Sequence, residues 1–342
     1  MFQRKPLPVL LVILLDLLGI GAMLGIFALF LFMPQDSNGQ PLQNIVSGSS
    51  SAPAELTASP EASETQDPAA SSDAYATPEP AATPVPGDFS ATFPTDEPAE
   101  GDGVIGNYAD DDLRVVVTER HSGDATYYVA EVWVRNIRGF KTAFAQGKYG
   151  HGLYEMPSDI AIDQNAIVAI SGDTYGSNKQ SVVIRNGNLY RDSVGAEDVC
   201  ILYADGVMES YYASDFNLDA AVARGAYQGW AFGPKLIDDG KIPASYNTTD
   251  VIIAHNPRSA IGYFEPGHYC LVVVDGRQGD YSKGMTMDEL SQTMIDLGCV
   301  DAYNLDGGQS AMMIFQNQVV NQPYKGGRAI SDIIYFGGSD PQ

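Results

Sequence analysis

The chain is short of positive charge. Its 342 residues include 19 Lys and Arg against 43 Asp and Glu, which gives a formal net charge of −24. No Lys or Arg occurs between Lys5 and Arg114. Nucleic-acid binding depends on clustered Lys and Arg that neutralise phosphates, and the sequence contains no basic stripe or RNA-binding aromatic motif. We therefore expect no nucleic-acid partner.

Cysteine is scarce as well. The three cysteines, Cys200, Cys270 and Cys299, lack metal-ligand spacing such as C-x-x-C, and an odd number cannot all pair within one chain. Cys270 and Cys299 lie in segments that could be neighbours, so the pattern allows one disulfide. The alternative is buried free thiols that act as small hydrophobic side chains.

Familiar catalytic and metal-binding signatures are also missing. The G-x-S-x-G motif of a serine nucleophile elbow is absent. Three consecutive aspartates at 110–112 are the one candidate for a hard cation such as calcium, which prefers oxygen ligands. A run of charges just before a strand is more typical of a solvated edge. We predict no cofactor and no metal site.

The one long apolar run lies near the N-terminus. Residues 7–33 are almost continuously apolar, and about 20 residues suffice to cross the hydrocarbon core of a bilayer. Arg4 and Lys5 precede the run, and this charge asymmetry places the N-terminus in the cytoplasm. We predict a single-pass, uncleaved signal anchor, with the rest of the chain outside the cell. A cleaved signal peptide is the alternative, but the run is long for one and lacks a small-x-small cleavage site.

Large apolar residues are rare in the next segment. Residues 34–103 are mainly Ala, Ser, Thr, Pro, Asp and Glu, with similar motifs at 76–80 (ATPEP) and 82–86 (ATPVP). Such a composition buries too little apolar surface to offset chain entropy, and proline stiffens it. We predict a disordered, extended stalk that holds one globular domain, residues 104–339, away from the membrane.

Short apolar strands separated by turn residues dominate this domain. Asn186-Gly187 between two apolar runs predicts a β-hairpin with a two-residue turn. The β pattern continues over 230–237. Many such strands with few helical segments predict an α+β fold, a single domain with a mixed, largely antiparallel β-sheet.

Two helices are predicted. Thr286-x-x-Glu289 forms a capping box before a helix over 286–297, and the next residue is a glycine. Another helix is predicted over 214–224, with Ser214 as its N-cap. The helix predicted over 286–297 lies between two predicted strands and forms with them a strand–helix–strand unit over 269–304.

Four polar, glycine-containing loops lie at the ends of apolar strands. Loops at strand ends are where a rigid sheet presents reactive groups. We predict a site built around the last of them, residues 304–310. The loops are 171–176 (SGDTYG), 255–262 (HNPRSAIG), 275–279 (DGRQG) and 304–310 (NLDGGQS).

The order of these blocks resembles the phosphodiester glycosidase family, which includes N-acetylglucosamine-1-phosphodiester α-N-acetylglucosaminidase. The similar blocks are ISGDTYG, PRSAIGY, VVVDGRQGDYSKGMTMDELSQTMIDLGCVDAYNLDGGQSAMM and RAISDIIYF. The resemblance implies a hydrolase that cleaves glycosyl-1-phosphodiester bonds of the GlcNAc-1-phosphate type, here in surface or exopolysaccharide glycans. The family usually has Asn-Gly-x-Phe-Phe at the first loop, where this chain has SGDTY at 171–175. That departure leaves the substrate contacts of the first loop open.

The residue types suit this chemistry. Cleavage passes through an oxocarbenium-like state that carboxylates stabilise, and it expels a phosphate that is already a stable anion. We predict Asp306 as the principal catalytic residue, with Asp275 and Asp173 as candidate second carboxylates. The role of Asp306 as nucleophile, base or electrostatic stabiliser is left open.

Substrate binding is assigned to the same loops. Arg258 and Arg277 suit bidentate contacts to phosphate. The glycines after Asp306 let a ligand approach the backbone, and the amides there, with the Ser310 hydroxyl, predict an anion nest. The predicted substrate-binding residues are Arg258, Ser259, Arg277, Asn304, Gly307, Gly308 and Ser310.

Two other functions compete with hydrolysis. The altered first loop is compatible with a non-catalytic module that binds phosphorylated glycans. A structural protein of the cell wall, in which the stalk matters most, is the second alternative. The sugar, the aglycone, the stereochemical outcome and the oligomeric state are not determined by the sequence.

Overall fold

The structure, a computed structural model, describes residues 39–46, 87–96 and 100–338. Within these ranges we number seventeen strands and four α-helices in chain order. The strands are β1 (Gln43–Asn44), β2 (Val104–Ala109), β3 (Leu113–Ser122), β4 (Ala125–Val134), β5 (Phe140–Phe144), β6 (Val168–Ser171), β7 (Val183–Arg185), β8 (Asn188–Arg191), β9 (Val199–Tyr203), β10 (Met208–Tyr211), β11 (Ala226–Trp230), β12 (Arg258–Glu265), β13 (His268–Val274), β14 (Asp301–Leu305), β15 (Met313–Phe315), β16 (Gln318–Val319) and β17 (Asp332–Phe336). The helices are α1 (Pro157–Asp163), α2 (Leu218–Ala223), α3 (Asp250–Ile253) and α4 (Met287–Asp296).

The strands form three sheets. Sheet 1 has the order β1-β8-β7-β11-β9-β10, sheet 2 the order β14-β12-β13-β4-β3-β2, and sheet 3 the order β16-β15-β6-β17-β5. The predicted α+β fold, largely antiparallel and poor in helices, is confirmed. The predicted mixing of parallel strands is not found, since all pairings between the described strands are antiparallel.

The strand–helix–strand unit explains this difference. β13 and β14, which α4 connects, run in the same direction but are not neighbours. β12 lies between them and pairs antiparallel with both. A crossover connection therefore exists without producing a parallel pair.

The three sheets share one hydrophobic core. Sheet 2 contributes side chains such as Val115, Val132 and Leu271, while sheets 1 and 3 contribute Trp230 and Ile334. Because side chains alternate between the two faces of a strand, the other face of each sheet needs a separate cover. α4 packs on sheet 2, α1 on sheet 3 and α2 on sheet 1.

Local sequence signals place several elements correctly. Asn186 and Gly187 both have positive φ, at 51° and 77°, as a tight hairpin turn requires, and they join β7 to β8. The Thr286 side chain accepts from the Glu289 N–H, and the Glu289 carboxylate accepts from the Thr286 N–H. The predicted hairpin and capping box are confirmed.

Two local predictions are wrong. The strand predicted over 230–237 ends at Trp230, because Gly233 and Pro234 follow, and proline cannot donate to a sheet. The helix predicted to begin after Ser214 begins after Asn217, whose side chain accepts from the Ala220 N–H. Asn217 is the better N-cap because it lies directly before the helical run.

The structure describes only part of the N-terminal segments for which predictions were made. Residues 7–33 lie outside the described ranges, and none of the helices in those ranges is long and apolar enough to cross a membrane. In the segment predicted as a stalk, residues 43–44 pair with β8 and Phe89 is buried in the main core. These two pieces lie on the domain because they carry apolar side chains, among them Ile45, that pack against it.

The cysteines are free thiols in this structure, and all three are buried. The Sγ atoms of Cys270 and Cys299 lie 3.6 Å apart between β13 and the end of α4. The prediction that their segments are neighbours is confirmed, and the thiols pack as small hydrophobic groups.

A buried charge cluster links sheet 1 to sheet 3. The Arg185 guanidinium on β7 lies 2.7 Å from the Asp332 carboxylate on β17 and 3.1 Å from that of Asp173, which follows β6. All three side chains are at most 1% exposed. Burial raises the pKa of Asp332 to about 7, although the attraction of Arg185 opposes this.

Replacement of Arg185 tests this cluster. Arg185→Met leaves two buried carboxyl groups without a cation, and we expect the free energy of unfolding to fall by about 3–5 kcal/mol near neutral pH. Burial already raises the pKa of Asp332, and loss of the cation raises it further above the unfolded value of about 3.9, so the folded variant binds more protons and loses stability as the pH rises. Urea denaturation at pH 4.5 and 7.5 should show the larger loss at pH 7.5.

Arg224→Met is the control. Arg224 forms a partly exposed ion pair with Glu209, and its loss should change stability by no more than about 1 kcal/mol. An Arg185→Met variant whose loss of stability is the same at both pH values would contradict the account of the cluster.

Candidate active site

The topology of sheet 2 brings three of the four predicted loops together. β12 runs antiparallel between β13 and β14, so its first residues lie beside the last residues of both neighbours. Arg258 pairs with Val274, and the residue after Arg258 pairs with Leu305. The loop after β6 joins them, because the Asp306 N–H donates to the Gly172 carbonyl at 3.1 Å. The predicted loops therefore meet at one edge of the fold.

A cavity of about 310 Å³ lies where they meet. We call it the arginine cavity, because three arginines lie in its wall. It is lined by Phe232, Val251, Ile252, Asn256, Pro257, Arg258, Arg277, Asn304, Leu305, Asp306, Gly307, Gly308, Gln309 and Arg328.

The two carboxylate oxygens of Asp306 differ in their hydrogen bonding. Its Oδ2 accepts from the Ser310 hydroxyl at 2.6 Å and from Arg328 Nη2 at 2.7 Å. Its Oδ1 makes no hydrogen bond to the described residues. The residue is 6% exposed, and burial raises the pKa of its carboxyl group, while Arg328 and Ser310 lower it. One oxygen is thus anchored and the other is available to a ligand.

The two glycines after Asp306 have a steric role. A Cβ on Gly307 would lie 2.5 Å from the Pro257 carbonyl oxygen, and Gly308 has a φ of +61°. The Gly308 N–H donates to that same carbonyl at 2.8 Å. The Gly308 N–H and the Ser310 hydroxyl, two of the donors predicted for an anion nest, are therefore already bonded within the protein. The glycines let two loops approach closely and still line the cavity.

Arg258 and Arg277 supply positive charge without an acidic partner. Neither guanidinium lies within ion-pair distance of a carboxylate in the described part of the chain. Arg258 is 3% exposed and donates to the backbone carbonyls of Met285 and Ala254 at 2.9 and 2.6 Å. Burial, and then repulsion from Arg277, lowers the pKa of Arg258 to about 10, so it stays protonated at neutral pH. Two adjacent arginines without an acidic partner give this wall of the cavity a positive charge, which suits a negatively charged ligand.

Arg277 is held in a fixed position at the rim. Its Nε and Nη2 donate to Asn256 Oδ1 at 3.1 and 2.6 Å, and its guanidinium lies over the Tyr324 ring. Its φ of +58° turns the chain sharply after Gly276. The remaining donors of the guanidinium are available to a ligand.

Asp275 lies apart from the cavity. It is 1% exposed, and it accepts from the Asn321 side chain, the Gln322 N–H and the Tyr281 hydroxyl at 2.8–2.9 Å. Burial raises its pKa. These bonds occupy both oxygens, so Asp275 fastens the loop that carries Arg277 to its surroundings rather than lining the cavity.

Asp173 is committed to the charge cluster. It pairs with Arg185 and accepts from the N–H groups of Tyr175 and Ala231 at 3.0 and 3.2 Å. It also borders a smaller cavity of about 230 Å³, which shares Asp306 and Arg328 with the arginine cavity. It is therefore near the site, but its oxygens are already bonded.

The other predicted binding residues differ in access. Asn304 lines the cavity, and its Nδ2 donates to the Gly233 carbonyl at 2.7 Å. That contact orients the amide, and the buried Oδ1 is left without a hydrogen-bond partner among the described residues. Ser259 is fully buried, and its hydroxyl lies 3.3 Å from that of Ser171. It therefore stabilises the contact between β12 and β6 beneath the cavity rather than lining the cavity.

Arg328 is the site residue that the sequence patterns missed. It donates from Nη2 to Asp306 and from Nε to the Ser310 hydroxyl at 2.6 Å. It lies in the RAISDIIYF block that carries the family resemblance, but not at the end of a predicted strand. That block was the one signal that could have identified it.

The aspartate run at 110–112 has a local role. Asp110 Oδ1 accepts from the N–H groups of Asp112 and Leu113 at 2.9 and 2.8 Å, which closes the turn between β2 and β3. This is the behaviour of an Asx turn.

Known proteins share this fold. The catalytic domain of zebrafish N-acetylglucosamine-1-phosphodiester α-N-acetylglucosaminidase, auto-inhibited by its pro-peptide, superposes with a TM-score of 0.54 at 20% identity, over 66% of this chain and 84% of that one. A hypothetical protein from Synechocystis gives a TM-score of 0.51 at 15% identity, over 66% and 62% of the two chains. At these identities the likeness concerns the fold alone.

A curated relative is similar in sequence. The SPbeta prophage-derived uncharacterized protein YomE of Bacillus subtilis (strain 168) is 29% identical over 259 residues, which cover 68% of this chain. The match spans 40% of the length of YomE.

A family model matches residues 164–337, about half of the chain, and this segment contains every loop of the arginine cavity. The model is that of the phosphodiester glycosidases. The chain belongs to the phosphodiester glycosidase family.

Proposed function

We propose that this domain hydrolyses glycosyl-1-phosphodiester bonds of the GlcNAc-1-phosphate type in surface or exopolysaccharide glycans. The observation that carries the proposal is one cavity that contains a buried carboxylate, Asp306, beside two arginines without acidic partners. The substrate class follows the family and the zebrafish enzyme, which by its name acts on N-acetylglucosamine-1-phosphodiesters.

The geometry supports a division of labour in the cavity. Arg258 and Arg277 hold the phosphate oxygens, which carry the negative charge of the substrate. Asp306 then faces the anomeric carbon with its unbonded Oδ1, where positive charge develops as the C1–O bond breaks. Water adds to C1, and the leaving group departs as a phosphomonoester anion.

The leaving group explains why a second free carboxylate is unnecessary. An alcohol that leaves a sugar needs a proton from a general acid, whereas a phosphate monoester is a stable anion. The arginines stabilise the charge that it gains. The commitment of Asp275 and Asp173 to structural contacts is consistent with this chemistry.

Asp306→Asn tests the proposal. The change keeps the side chain's size but removes its charge, and we expect release of sugar from an α-GlcNAc-1-phosphodiester to fall by at least about 100-fold, the lower range for loss of a catalytic acid or base. Asp163→Asn is the control, since Asp163 borders a remote cavity that contains no arginine. The variant should retain wild-type turnover.

Other outcomes of this assay separate the alternatives. Full turnover by Asp306→Asn would exclude a catalytic role for that residue. Glycan binding with no turnover by the wild type, across a panel of phosphodiester-linked sugars, would favour a non-catalytic binding module. The anomer that is first released would show whether Asp306 acts as nucleophile or as base.

Arg328 positions Asp306 and lowers its pKa. Since this attraction opposes the effect of burial, Arg328→Ala should raise the pKa of Asp306. As the pH falls, Asp306 is then protonated at a higher pH than in the wild type. The acid side of the pH–rate profile should therefore move to higher pH. Arg328→Lys keeps the positive charge, so its pH–rate profile should lie between those of Arg328→Ala and the wild type. A profile unchanged in Arg328→Ala would contradict this role.

We also propose that the domain acts outside the cell, anchored by residues 7–33 and held off the membrane by the segment that follows. The support is the sequence alone: the apolar length of 7–33 and the basic residues before it.

Protease treatment of intact cells tests the location. The domain should be degraded from outside, while a cytoplasmic marker survives, and full-length protein should be found in the membrane fraction. A chain that is protected until the cells are lysed would contradict the proposed orientation. A shortened soluble form would instead indicate a cleaved signal peptide.

A further inference from the structure

A second cavity adjoins the arginine cavity. It measures about 320 Å³ and shares the lining residues Phe232 and Ile252 with the arginine cavity, so the two are adjacent. We call it the side cavity. Its polar wall includes Asn178, Glu197 and Thr248, and these residues come from three different loops.

The side cavity differs chemically from its neighbour. No lysine or arginine lines it, whereas three arginines line the arginine cavity. Its wall combines hydroxyl, amide and carboxylate groups with the apolar faces of Phe232 and Ile252. A ligand that suits both kinds of surface is uncharged, carries many hydroxyl groups and has apolar C–H faces. A sugar ring has these properties.

One carboxylate oxygen in the wall of the side cavity has no hydrogen-bond partner in the described part of the chain. Glu197 Oε1 accepts from Asn178 Nδ2 at 3.1 Å, but the buried Oε2 has no partner within the described residues. Asn304 Oδ1, in the wall of the arginine cavity, also has no hydrogen-bond partner among those residues. Buried acceptors are costly unless a donor reaches them.

We propose that the side cavity is a sugar subsite that binds a neutral sugar unit beyond the scissile phosphodiester. The substrate is then a glycan chain with at least two sugars on one side of the phosphate, rather than a single sugar diester. This inference rests on the proposed function for the position of the phosphate, but binding of a neutral oligosaccharide does not depend on turnover.

The binding experiment uses the full chain in detergent and ligand-observed NMR. The probes are neutral trisaccharides of glucose, galactose, mannose and N-acetylglucosamine, which contain no phosphate. We expect at least one to bind, and Glu197→Ala to weaken its binding about tenfold, since a hydrogen bond to a charged group is lost. Thr248→Val should weaken it about threefold. Its hydroxyl makes no hydrogen bond within the described residues, so this variant should fold normally.

Glu155→Ala is the matched control. Glu155 is a half-buried glutamate that also accepts one hydrogen bond, from the Gln146 N–H at 2.7 Å, and it borders the remote cavity. Its replacement should leave trisaccharide binding unchanged. The subsite is disproved if none of the four trisaccharides binds, or if Glu197→Ala and Thr248→Val both bind as tightly as the wild type.

Turnover supplies a second readout. With GlcNAc-1-phosphodiesters that carry one or three sugars, Glu197→Ala should raise KM about tenfold for the longer substrate and by less than twofold for the shorter one. Equal effects on both substrates would overturn the subsite. Trisaccharide binding that is sensitive to Glu197, combined with no turnover by the wild type, would instead reject the hydrolase and keep the subsite.

Discussion

Arg185 is buried between two aspartates, and this charge cluster joins sheet 1 to sheet 3 beside the candidate site. Burying three charged groups is costly unless each is paired, so their positions are strongly coupled. The position of Asp332 also constrains the loop after β6. A Cβ on Gly172 would lie 2.4 Å from the Asp332 side chain, so only glycine fits there. The Gly172 carbonyl then accepts from the Asp306 N–H, and the cluster thereby helps to place the central carboxylate of the cavity.

The charge pattern of the site runs against that of the chain. The protein has a formal net charge of −24, yet two arginines at the cavity have no acidic partner in the described residues. The third, Arg328, is paired with Asp306 and so adds less to the local positive charge. The cavity can therefore attract an anion while one oxygen of the carboxylate stays free. The adjacent side cavity is lined by hydroxyl and amide groups and one carboxylate, with no lysine or arginine among the described residues of its wall.

The family and most of the site loops could be predicted from sequence. Asp306, Arg258, Arg277 and Asn304 were found because strand ends present side chains from a rigid sheet, and all four line the cavity. The same reasoning placed Asp275 there, but its hydrogen bonds to Asn321 and Gln322 could not be seen in the sequence. Arg328 was missed because no strand-end pattern marks it.

Local elements follow from residues close together in the chain. The Asn186-Gly187 turn and the capping box at Thr286 depend on neighbours within four residues, so the sequence alone determined them. Pairing of charges was decided only by the tertiary structure. Arg185 and Asp332 are 147 residues apart, and no local pattern indicates that they meet. Which carboxylate is neutralised inside the protein and which is free for a ligand depends on such distant contacts. For that reason the sequence identified Asp173, Asp275 and Asp306 as a group, and folding left Asp306 with a free oxygen in the arginine cavity.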